Sequence, residues 1–521
     1  MSSDPSVEPS PSDSSSKDGA PDEVRRSLRG SGLLLMGRVI GILINFGTQV
    51  LTVRYLTKAD YGAFSWAVAI VTMGSTFGLL SMHKAVGRYL PLYIEKDDPP
   101  AQRGVILLAL GSTIATGLAL IALAFGIRGL LGDTIVQDPQ AIGLLLILVF
   151  LVPLQSLDSL LHSTFAVLAS PRAIFFRRHI LAPVLRLIAV LTILATAGSV
   201  RDLAFGYLIA GTIGIVTYLA MLRSLLRKIG LFGPKATPGI RTEPKEIYRF
   251  GIPLLTTDLL WFLKSTVVII VLESMKGTES VAEFRAVVPL AALNVLLLEN
   301  VRVLYQPLAA RFVARGDGAS LNQLYAQVST WITVITFPLF ATCVFLSEPV
   351  TTLLFGSRYS SASSILVALA IGQYYHAIFG LNRSTLNAHG RVRLIVWANF
   401  ASAILALTLQ FTLIPQYGSL GAGIATGVTY IASSALIQFG MVRTTGIGRL
   451  GRDQLRTFLA LGTTVAFLSL VWAFFDHPIV LAIAVALSSV LMFWWNRSRL
   501  EIVETFPELK RVPILGRLSG G

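Results

Sequence analysis

The chain has 521 residues, of which 54% are hydrophobic and only 14% charged, with a mean hydropathy of +0.69. Soluble domains carry about 25% charge, so this balance excludes one and places the chain in a membrane. The net charge of +15 would point to nucleic acid in a soluble protein, but here the placement of Lys and Arg gives it another origin, and no nucleic-acid partner is expected.

Residues 1–22, MSSDPSVEPSPSDSSSKDGAPD, are rich in Ser, Pro and Asp and hold no hydrophobic core, which predicts a disordered cytoplasmic tail over 1–29. Arg25, Arg26 and Arg29 precede a full-length apolar run with no cleavage site, so no signal peptide is expected. Apolar runs then recur at about 33–53, 62–82, 104–126, 140–161, 179–197, 203–222, 250–272, 286–308, 324–346, 362–382, 394–413, 419–441, 456–475 and 478–495. Each is near the ~20 residues an α-helix needs to cross ~30 Å of hydrocarbon. The fold class is therefore all-α, a polytopic membrane protein of about fourteen spans.

With the N-terminus in the cytoplasm, roughly 32 of the 43 Lys and Arg fall in cytoplasmic segments, the bias that orients membrane proteins. The loop between spans 6 and 7 shows it best, with Arg223, Arg227, Lys228, Lys235, Arg241, Lys245 and Arg249, and the tail adds Arg497, Arg499, Lys510, Arg511 and Arg517. An even number of spans puts both termini in the cytoplasm of a multi-pass cell-membrane protein.

The second half of the sequence overlays the first at a shift of 220 to 221: DYGAF at 60–64 meets SVAEF at 280–284, HST at 162–164 meets RST at 383–385, and Gly206 meets Gly427. Recurrence at a fixed offset predicts an internal repeat. The expected organisation is a tail over 1–29, an N-lobe of six helices over 30–226, a basic linker over 227–249, a C-lobe of six helices over 250–446, two further helices over 447–496 and a tail over 497–521. Lobes with an even number of helices keep one orientation, a parallel repeat of the kind that builds alternating-access transporters with a site between the lobes.

Several stretches carry a family likeness: VRYLTKADYGAFSWAVAI (53–70), LYQPLAARF (304–312), LLFGSRYSSASSILVALAIG (353–372) and LIPQYGSLGAGIATGVTY (413–430). They resemble the signatures of Wzx-type polysaccharide biosynthesis proteins in the multidrug/oligosaccharidyl-lipid/polysaccharide exporter superfamily, with MurJ-type lipid II flippases and MATE drug antiporters as cousins. The likeness runs from Gly30 to about Arg499. It implies two lobes around a central cavity and movement of a polyprenyl-linked oligosaccharide from the inner to the outer leaflet, for surface polysaccharide or glycoprotein assembly. It also implies membrane lipid, and glycosyltransferases or a polymerase of the same pathway, as partners of a monomeric transporter. Many members carry an acid near the place of Lys264-Ser265, so acid-based ion coupling there does not carry over to this chain.

An ionisable residue within a span is expensive and marks a candidate site. At ~1.5 Å of rise per residue, Arg38, Arg186, Asp258, Glu299 and Arg302 share a layer ~7–14 Å above the cytoplasmic boundary, with Lys264 deeper at ~21 Å. Asp258 and Lys264 are six positions apart, about 240° around a helix, so they cannot neutralise each other. Arg38, Arg186, Lys264 and Arg302 are the candidate substrate-binding residues, since Arg in particular suits phosphate oxygens. Arg38, Asp258, Asp158 and Glu299 are candidates for gating or ion coupling. Under the repeat offset Arg38 and Asp258 occupy matching places and form a candidate pair between lobes. Glu299 and Arg302, three apart, can instead pair locally. Trp261, Tyr374 and Tyr375 are candidate stacking surfaces for sugar, with interfacial or core packing an alternative at least as well founded for aromatics in spans.

No Gly-Lys dipeptide occurs, which excludes a P-loop ATPase within the chain. His162, His179 and His376 lack metal-ligand spacing, and neither metal nor cofactor is expected. The alternatives to the flippase are a cation-coupled drug antiporter of the same fold, needing a buried acid such as Asp158 or Asp258, and a membrane-embedded glycan-assembly enzyme or polymerase. The latter calls for a long acidic outer loop, whereas the expected outer loops are short. The overall expectation is a transporter and not an enzyme.

Overall fold

The computed structural model describes residues 40–500 except 130–137, 169–170, 234–237, 450 and 476. Arg38, the expected tail over 1–29 and residues 501–521 lie outside the described residues. Among the described residues every regular element is a helix. In chain order these include α1 (40–55), α2 (Lys58–Gly78), α3 (Met82–Glu95), α4 (Pro99–Gly126), α5 (Pro139–Leu148), α6 (Leu151–Val167), α7 (Ala182–Thr196), α8 (Val200–Lys228), α9 (Pro244–Ser265) and α10 (Val267–Lys276). The second half continues with α11 (Thr278–Ala314), α12 (Gly318–Phe345), α13 (Ser347–Phe355), α14 (Ala362–Phe379), α15 (Asn382–Ala388), α16 (Val392–Thr445), α17 (Arg452–Phe474) and α18 (Pro478–Leu500).

Eleven helices among the described residues are long and apolar enough to span a membrane, or twelve if the pair α5–α6, bent by 47°, counts as one. That is fewer than the fourteen expected, for two visible reasons. The start of the first run lies outside the described residues, and expected spans 11 and 12 form one helical stretch of 54 residues, α16. At ~1.5 Å per residue a straight helix of that length would exceed two bilayer thicknesses. It is not straight: Gly418 has φ 55° and ψ −129°, outside helical space. The arms fold back on each other, so a Cβ placed on Gly440 would lie 2.5 Å from Leu394 Cδ1. Other expected spans are interrupted too. Leu80 and Ser81 take positive φ between α2 and α3, and Thr266 separates α9 from α10.

Caps supplied by the sequence start several helices. Asp98 accepts from the Ala101 amide before the prolines that open α4, Asp138 does so for Gln140, and Asp317 for Ser320. Each satisfies a backbone donor that the first turn leaves without a partner.

The cores divide along the chain. One cluster takes buried residues only from 79–247, including Met82, Leu160 and Tyr218. Another takes them only from 298–447, including Leu298, Tyr325 and Met441. A third joins both halves, bringing Phe64, Trp66 and Leu148 together with Val287, Ile365 and Ile414. This joint core lies where Thr57 links α1 to α2 and Gly277 links α10 to α11, termed here the Lys58 end. The separate cores lie toward the opposite or linker end, where residues 229–243 join α8 to α9. A fourth cluster seats α17 and α18 against α12 and α14.

Candidate functional site

Helix α9 carries both charges whose burial the sequence left unexplained, and the structure gives each a different partner. Asp258 accepts from Lys84 Nζ at 2.7 Å and from Ser81 Oγ at 2.8 Å, both in the N-terminal half. The break at Leu80–Ser81 makes this possible, because positive φ at two residues turns the chain and starts α3 beside α9. Lys264 instead donates to Asn399 Oδ1 at 3.0 Å, on the first arm of α16.

Lys264 faces a cavity of ≈530 Å³ in the C-terminal half, walled also by Asp258, Glu299, Arg302, His376, Arg383, Asn399 and Thr426. Glu299 accepts from Arg302 Nη1 at 2.7 Å, the local pairing that their spacing allows. Arg383 Nη2 donates at 3.1 Å to the same Asn399 Oδ1 that Lys264 uses. Two cations thus converge on one neutral oxygen. The two bond lengths place the charges no more than about 6 Å apart, where at an effective dielectric of ~20 they repel by roughly 3 kcal/mol. Both acids in the wall are paired with other cations, and among the described residues neither Lys264 nor Arg383 has a carboxylate in salt-bridge contact.

A second cavity, ≈390 Å³, lies in the N-terminal half among His83, Asp158, His162, Arg177, Arg178 and Tyr218, and Asp258 forms part of its wall as well. Arg177 pairs with Asp158 at 2.8 Å. Asp258 therefore stands on the seam between two polar chambers, one in each half.

At the Lys58 end the halves are fastened together. Lys58 of α2 meets Glu283 of α11 at 2.8 Å, and Glu283 also accepts from Ser361 Oγ at 2.6 Å and Ser419 Oγ at 2.7 Å. Arg358 donates to the carbonyls of Val53 and Arg54 at 2.6 and 2.8 Å, while Arg54 returns a bond to the Leu354 carbonyl at 2.9 Å. Thr278 Oγ1 reaches Asp138 at 3.3 Å. Helices α2 and α11 touch so closely at Gly62 that a Cβ there would lie 1.8 Å from the Thr278 carbonyl oxygen. Only glycine fits such an approach.

The sequence candidates thus fall in several places. Asp258, Lys264, Glu299 and Arg302 share the C-terminal cavity, and Asp158 lies in the other. Arg186 is exposed on α7 and lines neither cavity. Arg38 lies outside the described residues, and the partner Asp258 shows across the halves is Lys84. Tyr374 is core: it is 4% exposed, stacks on Phe340 at 4.2 Å and donates to the Thr333 carbonyl at 2.8 Å. Tyr375 packs on Phe379. Sequence reasoning missed Lys84, Arg383, Asn399 and Glu283. Arg383 and Glu283 sit inside the repeat matches RST and SVAEF, where their charge was the available signal.

The family described as polysaccharide biosynthesis protein matches residues 27–305, more than half of the chain. The chain belongs to the polysaccharide biosynthesis protein family. Among curated relatives it is 26% identical over 148 residues to the probable low-salt glycan biosynthesis flippase Agl15 of Haloferax volcanii, a match covering 28% of this chain and 31% of that one. The match thus spans about a third of that relative's length. Among solved structures, the lipid II flippase MurJ in an inward closed conformation superposes with a TM-score of 0.69 at 16% identity, covering 90% of this chain and 99% of that one. An inward-facing multidrug resistance transporter of the MATE family and MOP superfamily superposes with a TM-score of 0.63 at 12% identity, covering 78% and 94%. At these identities the likeness is one of fold: an all-helical, multi-pass membrane protein of the MurJ/MATE type.

Proposed function

We propose that this protein is a flippase that carries a polyprenyl-linked oligosaccharide across the cell membrane by alternating access, for assembly of surface polysaccharide or glycoprotein. The observation that carries the reading is the pair of charged chambers on either side of one seam, meeting at Asp258 and closed at one end by contacts between the halves. A ligand that moves through such a body must favour one arrangement of the halves over the other, and charged groups exposed on the seam supply that difference. The family membership, the name of the Haloferax relative and the MurJ-like fold support a lipid-linked glycan as cargo.

In this reading the halves are the two lobes of a parallel repeat, 30–226 and 250–446, joined by the linker 227–249. The linker end faces the cytoplasm, since Arg223, Arg227, Lys228, Lys245, Arg249, Arg311 and Arg315 lie there. Both termini are then cytoplasmic, the Lys58 end is the outer end, and a monomer suffices. The antiporter alternative requires a carboxylate open to an exchangeable cation, but Asp158 and Asp258 are each held by a basic side chain at 2.8 and 2.7 Å. The test is depletion of the protein in its own cells. Surface glycan should fall while lipid-linked oligosaccharide accumulates on the cytoplasmic side; unchanged surface glycan with no accumulation would contradict the proposal.

A further inference from the structure

We propose that Lys264, Arg383 and Asn399 form a phosphate-ester subsite built wholly within the C-terminal half, in which the Asn399 amide oxygen holds the place of a ligand oxygen. The identity of the ligand rests on the flippase reading; the anion chemistry rests on geometry alone.

Two donors of full positive charge aim at one amide oxygen, at 3.0 and 3.1 Å. A neutral oxygen receives both bonds but cancels neither charge, so the arrangement is complementary to an anionic oxygen, which strengthens both bonds. The orientation of the amide follows from its neighbours, because an NH2 group turned the same way would face two donors. Further polar groups in the same cavity are unmatched: Thr426 Oγ1 and Arg302 Nε are buried without a hydrogen-bond partner. Buried polar atoms are ordinarily satisfied, and two such atoms lining a chamber that already holds converging cations point to a ligand with several acceptor oxygens. A phosphate ester has them.

The choice of asparagine is also informative. A carboxylate at 399 would neutralise Lys264 and Arg383 permanently and fill the subsite from within. An amide can rotate, giving its oxygen to the cations when the chamber is empty and its NH2 to a ligand oxygen when it is loaded. At ≈530 Å³ the chamber is within the ~300–1,000 Å³ of small-ligand sites. Asp258 borders it, paired with Lys84 of the other half, so an anion seated on Lys264 and Arg383 would lie close to a contact that joins the halves.

The test is binding of short soluble carriers to the purified full-length protein, with citronellyl phosphate and citronellyl diphosphate as probes and citronellol as the uncharged control. Wild-type protein should bind at least one charged probe at least about tenfold more tightly than citronellol, with the preferred probe naming the carrier class. Lys264→Gln and Arg383→Gln should each weaken that probe about tenfold or more, the loss of one charge-assisted hydrogen bond. Asn399→Asp should weaken it as much, whereas Asn399→Ala should weaken it less than either cation variant, since both cations remain, the competing internal oxygen is gone and only the amide NH2 donor is lost. Thermal unfolding of each variant identifies any that fails to fold, and the wild-type comparison of charged probe with citronellol does not depend on them. Equal binding of citronellol and both charged probes, or wild-type binding by folded Asn399→Asp, would overturn the subsite. Neither result touches the depletion test, so failure of the subsite and failure of the flippase reading are distinguishable.

Discussion

Gly62→Ala is the sharpest single perturbation of the closed Lys58 end. The added Cβ would sit 1.8 Å from the Thr278 carbonyl oxygen and 2.5 Å from its carbon. To restore van der Waals contact, α2 and α11 must part by about 1.5 Å, and that movement strains the neighbouring bonds from Lys58 to Glu283 and from Thr278 to Asp138. Overpacking of this kind costs about 1–3 kcal/mol. The cost falls only on the arrangement in which the two helices meet, so it shifts the equilibrium between arrangements by roughly 5–150-fold toward the one open at this end. Spin labels at Arg201 and Ser357, both exposed and in opposite halves, report the separation once buried Cys343 is replaced by Ala. Gly62→Ala should enlarge the long-distance population, and Gly62→Val should enlarge it further. Wild-type distance distributions in both variants, at wild-type thermal stability, would show that the Gly62 contact does not hold the halves together.

Charge reversal at either member of the Lys58–Glu283 pair should produce the same shift in distance, and the double reversal should recover part of it, because Ser361 and Ser419 can turn their hydroxyl oxygens to a lysine at 283. Failure of the double variant to improve on the singles would remove that ion pair from the closure. Lys84→Met should lower stability by about 1–3 kcal/mol by leaving a partly buried Asp258 carboxylate with only Ser81, while Lys84→Met with Asp258→Asn should cost less than the single change; additive losses on thermal unfolding would refute the pairing. For orientation, cysteine at Glu279 should react with an impermeant thiol reagent in intact cells and cysteine at Arg315 should not. Both positions are exposed, whereas neighbouring Thr278 is buried against α2. Labelling of the Arg315 site in sealed cells would reverse the topology.

How much of this was legible in the sequence depends on the range of the interaction. Apolar runs of membrane-spanning length are a local property, and most of the helices fall where such runs predict them. Their interruptions are not local in that sense: nothing in LLSMHK marks Leu80 and Ser81 as left-handed, so Lys84 reads as a loop lysine although the turn points it at Asp258. Gly418 is legible within QYGSLG as a turn, and the separate runs 394–413 and 419–441 reflect it. The charges on α9 stood out because ionisable residues in apolar runs are rare. Asn399 did not, being a neutral amide in an apolar run, and its role exists only because α9 and α15 bring Lys264 and Arg383 to one oxygen. Gly62 and Glu283 were visible as parts of a repeated pattern, but the contacts that give them meaning join residues more than 200 positions apart. Tyr374 was ambiguous because an aromatic in a span looks alike whether it lines a chamber or fills a core, and here Phe340 and the Thr333 carbonyl settle it as core.

The most direct measurement is translocation in proteoliposomes that contain only this protein and a fluorescent oligosaccharide on a short polyprenyl phosphate, scored by protection of the inward-moved glycan from an impermeant quencher. Wild-type protein should move the lipid into the protected leaflet, and Lys264→Gln with Arg383→Gln should not, at equal incorporation. Equal protection in wild-type, variant and protein-free liposomes would contradict the claim that this chain flips a lipid-linked glycan.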